Sequence, residues 1–354
     1  MKRSTAFFLG IASLTVALGA STMAGCQSDT TGGGAGTSSS SSSGSGGSAS
    51  SSSGTAGGTT SSSSSSSSGT GGAAQEVTIQ DIATGKVGPK IPVQVNGVVA
   101  MTKKFLVSKS NNTGSCLWGI FVSAPGLTET GESTGALAVS YGTQATIPDG
   151  GTKAFCPVIE QGEPAGDGFP DDVKPGDVLD LTGKTDKFLS TSCTDPGQST
   201  VGQIQISNVI TAVKKGTAAV PAPHVFTPAD LTTLAGQTDS AFFSKWGGVK
   251  VRVQNVKPLV VTPDGGAPTI VGDFGKIKLE GSNAEIGDKI YYQGLMASLG
   301  DVCRKGPVYA DNNVTFTQVD GFVYLNFCTW DLEPANRCVD LQPPSDDCAG
   351  ELCP

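Results

Sequence analysis

The chain has 354 residues, a formal net charge of −8, nine cysteines and a single histidine, His224. Its acidic balance, with four arginines in all, argues against a general polyanion binder, because nucleic-acid affinity rests on clustered Lys and Arg. One histidine nearly excludes mixed Cys/His metal sites.

Residues 1–25 carry the order of an export signal: Lys2 and Arg3, an uncharged apolar run over residues 6–20, then Met23-Ala24-Gly25-Cys26. The run is too short for a comfortable membrane span. Its end resembles the bacterial lipobox, in which the cysteine thiol is acylated and becomes the mature N-terminus. The resemblance implies lipid on Cys26, with Met23 replacing the more usual Leu, and Gln27 rather than Asp after the cysteine favours the outer membrane. Two or three acyl chains hold a protein stably to a bilayer. The other reading is an ordinary signal peptide cleaved at Ala20 or Gly25, with Cys26 free or disulfide-bonded. Losing residues 1–25 removes two positive charges and takes the net charge from −8 to −10.

Residues 26–75 are almost entirely Ser, Gly, Thr and Ala, with an unbroken serine run from Ser61 to Ser68 and Asp29 the one charged residue. Such a segment buries too little apolar surface to offset its conformational entropy, which predicts a disordered tether. Its root-mean-square span would be about 35–40 Å.

From residue 76 the period-two signal is β throughout. Residues 92–99 (Pro-Val-Gln-Val-Asn-Gly-Val-Val) alternate, 104–109 and 117–124 read as the next strands, and 177–183 and 203–209 alternate again. Residues 227–235 open Thr-Pro-Ala-Asp and predict a short helix with Pro at its first position. Residues 248–253 then repeat the first strand. Gly287-Asp288 and the run to Gly294 repeat Gly176-Asp177 and the run to Gly183, with Cys303 and Cys193 following at nearly equal distances. This predicts an internal duplication of a five-stranded unit: domain 1 over 76–235, domain 2 over 236–334, and a Cys-rich tail over 335–354.

Apart from Cys26 the cysteines are Cys116, Cys156, Cys193, Cys303, Cys328, Cys338, Cys348 and Cys353. An even count in an exported chain reads as disulfides in an oxidising compartment, with the connectivity open. Three fall in the first half and five in the second, so full pairing requires at least one bridge between the halves. No C-x-x-C pair supports zinc.

Residues 78–231 resemble the OB-fold domains of secreted bacterial nucleases and related surface proteins. The carriers are the opening strand at 93–101, Gly119-Ile120-Phe121-Val122, Pro175-Gly176-Asp177 with Gly183, the strand at 203–206, and the exit Val220-Pro221-Ala222-Pro223. The resemblance implies a five-stranded, partly open barrel whose strand 2–3 face often holds ligands. No phosphodiesterase domain follows, and the region before Gly176 is expanded by about fifty residues, so the transfer stops at architecture. The expected fold class is all-β: tandem OB-like barrels after the tether.

Chemistry is weakly written. His224 lies in a Pro-rich linker, a poor platform for catalysis. Glu160, Glu163, Asp167, Asp171, Asp172 and Asp177 form an acidic loop without calcium-loop spacing and read as solvated. No catalytic residue, metal or cofactor is expected. Alternation puts Trp118, Ile120 and Val122 inside the barrel and Phe121 outside with Lys104 and Leu106, a surface on which a base or sugar could stack; the other reading packs Phe121 under the expanded loop. The sequence therefore predicts a non-catalytic cell-envelope lipoprotein displaying a binding or structural head to an unidentified surface ligand or protein. The alternative is an accessory protein holding extracellular single-stranded nucleic acid or polysaccharide for a separate enzyme. With 21 basic and 30 acidic side chains over residues 76–354, nucleic acid is the less expected ligand.

Overall fold

The structure, a computed structural model, describes residues 73–109, 114–147, 149, 154–262, 266–272, 275–291, 307–346 and 348. The expected export signal, most of the expected tether, Cys26, Cys303 and Cys353 lie outside the described residues. Within them the chain is all-β with short helices, arranged as two sheets.

The first sheet contains β1 (Gln75–Glu76), β2 (Pro92–Ala100), β3 (Phe105–Lys109), β4 (Ser115–Ser123), β5 (Gly135–Gln144), β6 (Asp177–Phe188) and β7 (Gln203–Thr217). Helix α1 (Ile79–Ala83) follows β1, started by a Thr78–Asp81 capping box. Pairing runs from β2 to β4, β5, β7 and β6 and returns to β2, so five strands form a closed ring. Every step is antiparallel except the β5–β7 pair, which is parallel. The ring closes because β2 bends. Its register with β6 shifts between Val95 and Val98, and the amide of Gly97 there donates to Asp180 Oδ1 at 2.8 Å. A bulge of this kind turns a strand and raises its twist, so the first part of β2 serves β6 while Val99 and Ala100 also reach β4. The ring is filled by Val93, Val95, Val98, Trp118, Ile120, Val122, Leu179, Leu181 and Ile206. The alternation expected for β4 is therefore the one observed.

The second sheet contains β8 (His224–Val225), β9 (Lys250–Val256), β10 (Ile277–Lys278), β11 (Glu285–Ile286), β12 (Phe316–Asn326), β13 (Thr329–Glu333) and β14 (Leu341–Gln342). Its order is β10-β11-β13-β12-β9-β8, with β14 also on β12. Helices α2 (Pro228–Gly236) and α3 (Ser240–Trp246) cover it. Helix α2 opens with the expected Pro228, behind a Thr227–Asp230 capping box.

Three expectations are corrected here. Residues 287–291, which were to open a repeat of the 177–183 strand, form irregular chain and a turn. Their backbone donors are spent on β13 instead: Gly287 N–H donates to Leu332 O at 2.9 Å and Lys289 N–H to Glu333 Oε2 at 2.8 Å. The boundary between the halves lies near residue 222, not 235, because β8 pairs with β9 and Phe226, Leu231 and Leu234 fill the second core. Residues 335–342 belong to the second sheet and are not a tail. Leu341 is buried opposite Val319, and Asp340 accepts from Lys250 Nζ at 2.9 Å.

A third apolar cluster joins the sheets: Met101, Phe105, Phe121, Leu137 and Val139 from the first, Ile290, Phe322 and Tyr324 from the second. Phe121 stacks on Phe322 with centroids 4.2 Å apart, and Tyr324 meets its edge at 5.7 Å. The backbones approach closely beside this stack. A Cβ on Gly135 would lie 2.4 Å from Gly248 O, and one on Gly248, whose φ is +86°, would lie 2.8 Å from Ala136 Cα. Only glycine fits such an approach. Cys193–Cys328 crosses the same junction, while Cys116–Cys156 and Cys338–Cys348 each staple one half. The bridge between halves required by the cysteine count is thus present.

Candidate functional site

The tentative ligand face does not exist as a surface. Phe121 is fully buried against Phe322, Leu106 lies in the ring core, and Lys104 is buried. Strand alternation correctly sent Phe121 away from the ring interior. What it could not register is that the second sheet covers that outer face, a contact more than 200 residues distant in sequence.

Lys104, just ahead of β3, is the hub of a polar cluster formed when the expanded loop folds back over the ring. Its Nζ lies 2.7 Å from Asp167 Oδ1, 2.6 Å from Asp171 Oδ1 and 3.3 Å from Phe169 O. The Lys104 and Asp167 side chains are 1% and 0% exposed, whereas Asp171 is 43% exposed. Nζ also stands 5.9 Å from the Trp118 ring centroid. Gly168 N–H donates to Ser140 Oγ at 2.8 Å and Ala165 N–H to Asp171 Oδ1 at 3.2 Å, which fixes the loop. Burial raises the Asp167 carboxyl above its ordinary range, against the opposing pull of the Lys104 hydrogen bond. Asp167 Oδ2 and Trp118 Nε1 are both buried without a hydrogen-bond partner among the described residues.

The acidic loop does not converge on a cation site. Asp167 and Asp171 share Lys104, and Asp172 and Asp177 share Lys214 at 2.9 and 3.0 Å. Glu163 Oε2 accepts from Val158 N–H at 2.7 Å. Among the described residues no group of three or more His, Cys, Asp or Glu side chains could hold a metal ion. His224 stacks on Trp246 with centroids 5.0 Å apart and faces Glu129 Oε1 at 3.3 Å, so it serves the seam between the sheets.

The second sheet holds a cluster that sequence reading missed. Asp331 and Glu333 stand two apart on β13 and are fully buried. Lys276 Nζ sits 2.7 Å from Asp331 Oδ2 and 3.0 Å from Glu285 Oε2. Glu333 accepts from Lys289 N–H and, at 3.1 Å, from Asn326 Nδ2. A Cβ on Gly287 would fall 2.1 Å from Glu333 Oε1, so the glycine is what admits this carboxylate. Burial pushes Asp331 up to about 7 although Lys276 pulls it down, and pushes Asp288 up to about 6. Glu333 is raised well above the carboxylate range by burial and by the charges of Asp331 and Asp288. Burial alone would lower Lys276, but Asp331 and Glu285 outweigh it and hold the ammonium charged. The available signal was the alternation Trp330-Asp331-Leu332-Glu333, which puts both acids on one strand face opposite two large apolar residues. Carboxyls shifted in this way can exchange protons near neutral pH, yet both β13 acids are sealed from solvent.

No protein-family model, curated protein or solved structure matches this chain.

Proposed function

We propose that the protein is a non-catalytic cell-envelope lipoprotein, held to the outer membrane by lipid on Cys26, that displays a rigid head on the Ser/Gly-rich tether. The observation that carries this reading is the junction between the sheets. A Phe121–Phe322 stack, glycine-mediated backbone approach and a Cys193–Cys328 bridge weld the halves together. An oxidised, welded body suits a head exposed outside the cell. The first sheet is read as OB-like: its ring order β2-β4-β5-β7-β6, with one parallel pair, supports the five-stranded Greek-key barrel that the resemblance implies. The second sheet is then its diverged partner. Burial of Phe121 removes the aromatic that a base-stacking face would need, which favours the scaffold or protein-binding role over the nucleic-acid alternative.

Cell fractionation tests the anchor. Wild type should partition with outer membranes and Cys26→Ser should be exported and released. A Cys26→Ser protein that stays with membranes as fully as wild type would sink the reading.

A further inference from the structure

Lys104, Asp167 and Asp171 bring an amine, a carboxyl group and a second carboxylate together in a nearly dry site. Nζ is 2.7 Å from Asp167 Oδ1 and 2.6 Å from Asp171 Oδ1, with Lys104 and Asp167 almost wholly shut off from solvent. An ion pair is a costly occupant of this place. Both charges lose their water, and one Asp167 oxygen has no partner among the described residues to compensate it. A neutral link between the same atoms would remove both charges.

We propose that Lys104 and Asp167 condense into an intramolecular amide, with Asp171 as the catalytic proton carrier. The sequence balances without any outside reagent. A proton passes from the Lys104 ammonium to Asp167 Oδ1, leaving a neutral amine and a carboxylic acid. The Nζ lone pair attacks Asp167 Cγ, forming the C–N bond as the C=O π pair moves onto Oδ2. Asp171 takes one proton from the new Nζ centre and delivers it to the Oδ1 hydroxyl. The C–Oδ1 bond breaks, water leaves, and the pair on Oδ2 re-forms the carbonyl. One ammonium and one carboxylate have become one amide and one water, and Asp171 ends as it began. Lysine is an effective nucleophile once neutral, and holding the two groups at hydrogen-bond distance removes most of the entropic barrier.

Other contacts fit the product. Phe169 O, 3.3 Å from Nζ, is placed to accept from the amide N–H that remains. The Trp118 ring forms an apolar wall beside the amine. Asp171, partly exposed, gives the released water a way out. The link would join residues 63 apart in sequence, across a segment that already contains the Cys116–Cys156 bridge.

Peptide mapping of the full chain decides the matter. The purified protein is reduced, its thiols are capped, and it is digested with trypsin. Lys104 in amide linkage resists cleavage, and Pro175 protects Lys174. The expected product is a branched peptide joining residues 104–109 to residues 154–184, lighter by one water than the two together. Quantitative recovery of separate 105–109 and 154–184 peptides overturns the proposal. Asp167→Ala should abolish the branched species, and a branch at Lys104 that persists there overturns the assignment of Asp167. Asp171→Asn should lose it while far-UV circular dichroism and the Cys116–Cys156 bridge are retained. Branching in Asp171→Asn as complete as in wild type overturns the role given to Asp171.

Discussion

The two sheets bury charge in different ways. In the first, five acids of the expanded loop and its exit meet a lysine or a backbone donor: Lys104 takes Asp167 and Asp171, Lys214 takes Asp172 and Asp177, and Val158 N–H holds Glu163. In the second, Asp331, Glu333 and Asp288 are gathered near Lys276 and Lys289; Lys276 pairs with Asp331, while Glu333 rests on an amide N–H and an asparagine with no lysine within ion-pair distance among the described residues. The consequence is protonic. Burial raises Asp288, Asp331 and Glu333 together, although Lys276 pulls Asp331 down, whereas in the first sheet Asp167 is the one buried loop acid that burial raises, against the opposing hydrogen bond of Lys104. The first arrangement fastens a loop; the second ties half of the molecule to acidity.

The junction between the sheets offers the sharpest way to break this comparison, since it decides whether the halves respond separately. Phe121→Ala should have the largest effect, a loss of about 3–5 kcal/mol by chemical denaturation, the usual cost of emptying a large aromatic site. A loss within about 0.5 kcal/mol, the range of surface substitutions, would return Phe121 to the outside. Breaking the bridge by Cys193→Ser with Cys328→Ser should cost about 2–4 kcal/mol and separate the unfolding of the two halves, seen as a second transition in calorimetry. One unaltered transition would show that the aromatic stack alone couples them.

The next test concerns acidity. Asp288 and Asp331 have folded-state values raised from 3.8 to about 6 and about 7. The folded state therefore binds more protons than the unfolded state across that window. Stability from these groups is fully present below about pH 4 and is lost as pH rises through about 6 and 7. Melting temperatures should fall from pH 5 to pH 8, and Asp288→Asn should flatten the fall. A pH profile unchanged by Asp288→Asn would deny that this acid holds its proton in the folded state. The smallest effect should come from Lys245→Ala, which removes a solvent-exposed pair with Glu132 across the junction at 3.1 Å. Exposed pairs contribute little, so a change of about 0.5 kcal/mol or less is expected in urea titration.

Local patterning carried much of the first half. The strands at 92–99, 104–109 and 117–124 and the helix begun by Pro228 were legible because period and capping chemistry are written within a few residues. Strand β5 was not: Gly135-Ala136-Leu137-Ala138-Val139-Ser140 mixes small residues that face core on both sides, so it shows no alternation and disappears into the expanded loop. Strand β12 escaped for the same reason, buried on both faces from Val319 to Leu325. The Gly287-Asp288 repeat misled because a Gly-Asp pair marks a turn whatever follows it, and here it wraps a buried carboxylate. Lys104 was singled out by sequence for a surface role and proved interior, because the loop that covers it buries Val158, Phe169 and Val173 at no regular spacing. The disulfide partners depend on folding over distances of up to 135 residues, which spacing does not encode.

Strand β1 gives the first sheet a defined point of mechanical loading. Among the described residues the chain enters the first sheet through two ladder pairs, Gln75 with Val93 and Glu76 with Gln94, backed by Val77 N–H to Gln94 O. Immediately behind them Val77, Ile79 and Ile82 are buried in the ring core. A pull on the N-terminal segment would peel this short ladder first and then stall at helix α1, whose release requires opening the core. The short ladder can thus yield a few residues of slack under load while the ring stays shut.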